Sequence, residues 1–86
     1  MPQISRFYGI IVLMYLNDHY PPHFHAKYGE FEILIRIQDL SVYAGYLPPR
    51  ALGLVVEWAA LHQRELMENW ELIRNNLSFK KIEPLK

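Results

Sequence analysis

The apolar positions follow two different periods, and the change of period divides the chain. Gly9 to Leu16, GIIVLMYL, is continuously apolar and of strand length, which predicts a central strand covered on both faces. Asn17-Asp18-His19-Tyr20-Pro21-Pro22 follows as a run of turn formers. Consecutive X-Pro bonds hold the backbone out of helix, and Tyr20–Pro21 is a candidate for a cis bond. His23 to Tyr28 predicts a second strand, with Gly29-Glu30 as a tight turn. In Phe31 to Ile37, FEILIRI, the residues Phe31, Ile33, Ile35 and Ile37 face one way; Glu32, Leu34 and Arg36 face the other. Leu40 to Leu47 predicts a fourth strand with Gly45 as its weak point. Short connections make these strands antiparallel neighbours.

Pro48-Pro49 marks a switch to helical spacing, with Pro49 suited to a first turn. From Arg50 to about Asn75, Leu52, Val55, Val56, Ala59, Leu66, Met67, Trp70 and Ile73 form one apolar strip. As a single helix this segment spans ~38 Å, longer than a globule of this size is wide, so it either breaks near Leu61 to Arg64 or overhangs. The last residues, LSFKKIEPLK, predict an extended tail. A second strip of Leu54, Trp58, Leu61 and Leu72 has no use against one sheet, and implies a partner chain. The fold expected is α+β: one domain over 1–86, with an antiparallel sheet of about four strands, then one long or kinked C-terminal helix.

Composition narrows the chemistry. The 86 residues include no cysteine, which excludes disulfides, thiolate metal sites and cysteine nucleophiles. Nine basic residues balance nine acidic ones, so no global field draws in nucleic acid. No apolar run approaches the ~20 residues of a membrane span, and the first residues lack the pattern of a secretory signal. The expected place is the cytoplasm.

Three of the four histidines fall within PPHFHA and the turn before it. His23 and His25 are two apart, so on a strand they share a face and can converge on one ion. Neutral imidazole suits zinc or nickel. His19 and Asp18 are candidates for a third ligand. Tyr20, Phe24 and Tyr28 can shield such a centre from water. A stiff structural turn accounts for the same residues with no ligand at all. Acid/base work is a third reading, in which a histidine activates a ribose hydroxyl and Arg6, Arg36 or Arg50 steadies the phosphate. On the helix, Trp58, His62, Glu65 and Asn69 lie at i, i+4, i+7 and i+11 within one narrow arc. They form either a half-buried border row or one wall of a cleft whose other wall is the 19–25 loop. Glu65 is placed to orient His62. The candidate catalytic set is therefore His23, His25, His62, Arg6 and Glu65; the candidate metal set is His19, His23, His25 and Asp18.

Several segments also resemble a known family. They are Ile4-Ser-Arg-Phe-Tyr-Gly-Ile10, Asn17-Asp18-His19, Pro21-Pro22-His23-Phe24-His25-Ala26, Tyr28-Gly29, Leu47-Pro48, Arg50-Ala51, Glu57-Trp58, His62, Glu65-Leu66, Asn69-Trp70 and Ile82-Glu83-Pro84. This pattern resembles the small bacterial family catalogued as Domain of Unknown Function 4160, over essentially the whole chain. The resemblance implies a component of a toxin–antitoxin-like pair or a transcriptional regulator, acting through a partner protein encoded nearby, as a homo- or hetero-oligomer. It supplies no catalytic residues. Three functions follow as expectations: an interaction module, a small histidine-dependent nuclease, and a metal-binding regulator.

Overall fold

The computed structural model describes residues 3–86. Five strands form one antiparallel sheet in the order β1-β2-β3-β4-β5, and two helices follow. The strands are β1 (Gln3–Phe7), β2 (Ile10–Leu13), β3 (His23–Tyr28), β4 (Phe31–Arg36) and β5 (Val42–Tyr46). The helices are α1 (Pro49–Leu61) and α2 (Gln63–Arg74). The class is the expected α+β, with one more strand and a helix that is broken.

β1 is the additional strand. Its apolar residues do not alternate cleanly, because Ser5 is buried beside Ile4. What holds Ser5 is distant in sequence: its hydroxyl donates to the carbonyl of Ile82 at 3.0 Å, and Ile82 N–H donates to Ile4 O at 2.9 Å. The expected C-terminal tail is extended, but it is strapped to β1 rather than loose.

The hairpin between β3 and β4 fixes the register of the site. Gly29 has φ +60° at the first of two central turn positions, as a type II′ hairpin turn requires. Tyr28 then pairs with Phe31, Lys27 with Glu32, His25 with Leu34 and His23 with Arg36. Phe24, Ala26, Ile33 and Ile35 point to the opposite face and join the core with Val55, Trp58, Ala59, Leu66 and Trp70 of the helices. Between β4 and β5 the register slips, so that Leu34 meets Ala44 while Ile35 meets Val42. Tyr43 is the extra residue of this bulge, and a bulge re-aims the side chain it carries. Gly45 is needed here. Its φ is +85°, and a Cβ at this position would sit 2.3 Å from the carbonyl oxygen of Glu32.

The helix breaks at His62, whose φ of −130° leaves the helical region. Glu65, in the first turn of α2, pairs with the His62 ring at the helix start. At the far end, Asn76 takes a left-handed conformation, and Leu77 N–H donates to Leu72 O at 2.8 Å, a Schellman closure. The break also resolves the second apolar strip. Trp58 is fully buried, tilted against Phe7 and edge-on to Phe24, while Leu61 is 69% exposed at the junction. Trp58 therefore belongs to the core and not to a surface awaiting a partner.

Candidate functional site

β3 places His23 and His25 on one sheet face, and the 14–22 loop folds Asp18 back onto them. Asp18 Oδ2 lies 3.1 Å from His25 Nε2 and 3.5 Å from His23 Nε2. The three ligand-type atoms all lie within 4.8 Å of one another. The cluster is shielded: the side chains of His23, His25 and Asp18 are 4%, 12% and 16% exposed.

The outer nitrogens of both rings already have partners. His23 Nδ1 is 2.8 Å from the carbonyl of Pro21, which can only accept, so Nδ1 carries the hydrogen. His25 Nδ1 is 2.9 Å from Glu32 Oε2, and donates to that carboxylate. In the neutral rings both Nε2 atoms are therefore bare, and both face the same carboxylate oxygen. Three acceptors converge with no donor between them. A proton on His25 satisfies its contact with Asp18 but leaves His23 Nε2 facing that oxygen. One cation at the centre satisfies all three.

The spacing fits such an ion. Ligands ~2.0–2.1 Å from zinc in tetrahedral array lie about 3.3 Å from each other, and the two Asp18 distances bracket that value. The outer contacts, one to a backbone carbonyl and one to a carboxylate, are the kind that orient metal-ligating histidines. Three protein ligands leave a further coordination position for water or a small ligand.

Aromatic rings pack the centre. Tyr15 meets His25 edge-on at 4.6 Å, and the His23 ring lies 5.2 Å from Tyr43 and 5.5 Å from Trp70. Trp70 Nε1 is buried with no hydrogen-bond partner. Tyr20, after which the peptide bond to Pro21 is cis, packs edge-on against Trp70 at 5.8 Å. Phe24 and Tyr28 do not shield the site, since β3 turns them to the other face.

The remaining sequence candidates lie elsewhere. His19 is exposed and does not belong to the cluster. His62 stacks on Trp58, pairs with Glu65, and lines a recess with Leu61, Glu83 and Leu85. It begins α2, roughly 12 Å along that helix from Trp70. Trp58 in turn meets Phe24, the residue that points away from His23 and His25. The histidines thus form two separate features, not one cleft. Asn69 is fully enclosed and serves the tail: its amide exchanges two 2.8 Å hydrogen bonds with the Lys80 backbone. Arg6 is exposed on β1 opposite Ile11, and Arg50 lines a recess with Tyr8 and Tyr28. Of the arginines proposed as a phosphate clamp, Arg36 alone is a direct register neighbour of the site, opposite His23.

Glu32 is the residue that sequence reasoning missed. The signal was present: a two-residue turn at Gly29-Glu30 forces Lys27 opposite Glu32, one diagonal step from His25 on the same face. The turn of Asp39 and Ser41 supports Arg36. Ser41 donates its hydroxyl (2.6 Å) and its backbone N–H (3.0 Å) to Asp39, and these bonds, with the Arg36 charge nearby, hold the Asp39 carboxyl below its usual range.

Comparison with known proteins yields a family match. Residues 9–71 match the family model described as Domain of unknown function (DUF4160). No curated protein and no solved structure matches the chain. Among the described residues, no helix is long and apolar enough to cross a membrane.

Proposed function

For this chain, which belongs to the DUF4160 family, we propose a divalent transition-metal centre formed by Asp18, His23 and His25. The observation that carries the proposal is the convergence of two bare imidazole nitrogens on one carboxylate oxygen, with both outer nitrogens already engaged. Two nitrogens and one oxygen favour zinc, nickel or ferrous iron over calcium or magnesium, which prefer all-oxygen shells. The open position makes the centre one that binds or activates a ligand, unlike a closed structural site. A water bound there ionises far more readily than bulk water, which is the metal-assisted form of the hydrolytic role expected from the histidines.

The test uses protein purified without a histidine tag, stripped with chelator and dialysed against zinc or nickel. Elemental analysis is expected to give one ion per chain, and none in the His23→Ala, His25→Ala double variant. Equal metal content in both proteins overturns the assignment.

The outer edge of the sheet favours a second reading, in which the chain also works through a partner protein of a toxin–antitoxin-like pair. Every residue of β5 is exposed, none is charged, and Val42 and Tyr46 are about half exposed. An uncharged edge strand is open to pairing with another chain. Co-expression with the product of the adjacent gene is expected to give a complex that survives gel filtration at micromolar concentration. Separate elution of the two counts against this reading.

A further inference from the structure

Two arginines flank the centre, and among the described residues neither makes a direct ion pair. Arg36 stands directly across from His23 in the β3–β4 register. Its Cζ lies 5.0 Å from the Tyr43 ring, which is itself 5.2 Å from the His23 ring. Arg74 approaches from α2. Its Cζ lies 5.3 Å from the Trp70 ring, which is 5.5 Å from His23, and its Nη1 donates to the backbone carbonyl of Asp18 at 2.8 Å. Each guanidinium is therefore one aromatic ring away from His23.

Among the described residues, the ion pairs all join a histidine to a carboxylate. No acid among them lies within ion-pairing range of either arginine. Asp39 acts on Arg36 from a greater distance, and its own hydrogen bonds come from Ser41. Each arginine engages protein acceptors through Nη1: Arg36 holds Ser41 Oγ and Val42 O, and Arg74 holds Asp18 O. Among the described residues, Nε and Nη2 of both make no hydrogen bond and are left for a ligand. Contacts with Tyr43, and with Tyr20 and Trp70, restrain the two guanidinium groups. A planar fork held in place matches the oxygens of a phosphoryl group, with two donors to two acceptors.

We propose that the Asp18–His23–His25 centre takes a phosphoryl group as its ligand. One oxygen occupies the metal's open position, and Arg74 and Arg36 neutralise the remaining charge. The inference rests on the metal reading above. The class is phosphate, either free or carried as an ester. A phosphoryl group is compact and presents several anionic oxygens at once, as a metal ion flanked by two guanidinium groups requires. Tyr20, 61% exposed and already stacked under Arg74 at 4.6 Å, offers a face for a planar group attached to the phosphate.

The experiment is calorimetric titration of the untagged protein, loaded with one equivalent of zinc, with inorganic phosphate, adenosine monophosphate and acetate. Phosphate is expected to bind the loaded protein and to bind the zinc-free protein more weakly. Arg74→Gln and Arg36→Gln are each expected to weaken phosphate about ten-fold, as loss of one charge-assisted hydrogen bond does. Arg64→Gln, at the start of α2 in a different recess, leaves it unchanged. Arg74→Lys keeps the charge and guards against a folding defect; it is expected to fall between wild type and Arg74→Gln. Tighter binding of the nucleotide identifies an ester read partly through Tyr20, and equal binding identifies the phosphoryl group alone. Zinc-loaded protein that ignores phosphate, binds acetate as well, or is indifferent to both arginine changes overturns this inference while leaving the metal centre standing. Protein that takes up no zinc overturns both.

Discussion

Asp18 Oδ2 lies 3.1 Å from His25 Nε2, while the other nitrogen of His25 is committed to Glu32 at 2.9 Å, so with the ring neutral Asp18 and His25 meet acceptor to acceptor. A proton on His25 relieves that contact but not the one between Asp18 and His23 at 3.5 Å, and a single cation relieves both. The proposed metal is that cation, and binding should then stabilise the fold. Zinc at one hundred times its dissociation constant adds about 2.7 kcal/mol, or roughly 10–20 °C of melting temperature in a domain this small. Thermal unfolding followed by circular dichroism is expected to show this increment in the wild type and its loss in Asp18→Asn and His25→Ala.

Glu32 touches no ligand position itself but holds the His25 ring by Nδ1. Its side chain is 41% exposed, so its removal leaves the fold intact. Glu32→Ala is expected to weaken zinc about 10–100-fold, the usual consequence of losing an outer carboxylate. Competition against a fluorescent chelator measures it, and the melting temperature of the zinc-free protein should be unchanged.

Gly45 holds the β4–β5 pairing that carries both Glu32 and Tyr43. Gly45→Ala demands a left-handed conformation and drives a methyl into the Glu32 carbonyl. The expected cost is on the order of 2 kcal/mol or more, read as a lower urea midpoint with an unchanged slope.

The two tryptophans offer a comparison. Trp58 Nε1 donates to Glu83 O at 2.7 Å, whereas Trp70 Nε1 is buried and unpartnered. Replacing each by Phe removes similar volume. Trp58→Phe also loses a hydrogen bond of about 1 kcal/mol, while Trp70→Phe removes an unsatisfied donor. Urea denaturation should therefore show the larger loss for Trp58→Phe.

Asn69 clasps Lys80 through a pair of backbone hydrogen bonds, and Ile82 pairs with Ile4 beyond it. Asn69→Ala is expected to release the tail. Hydrogen exchange at residues 80–83 should accelerate by at least ten-fold, with little change in the strands.

Much of this arrangement was legible because it depends on local rules. The alternation of FEILIRI, the Gly29 turn and the Pro48-Pro49 switch locate β4, the hairpin and α1. The His23–His25 pair follows from strand geometry alone, and Asp18 from its place in the preceding loop. Other features depend on contacts distant in sequence. β1 is hidden because its buried Ser5 is satisfied by Ile82, at the other end of the chain. One helical arc joins His62 to Trp58 and Asn69, which leaves a half-buried border row and a cleft wall facing the 19–25 loop equally open to sequence reading. The break at His62 ends that arc, and Trp58 sits on the far side of β3. The roles of Tyr43 and Arg36 depend on a bulge that no short pattern signals.

The most direct measurement is a crystal soaked in zinc, with anomalous differences collected across the zinc edge. One strong peak is expected, within ~2.0–2.2 Å of His23 Nε2, His25 Nε2 and an Asp18 carboxylate oxygen. A zinc-saturated protein whose peak lies instead at His19 or His62, or which has none beside His23 and His25, contradicts the proposed centre.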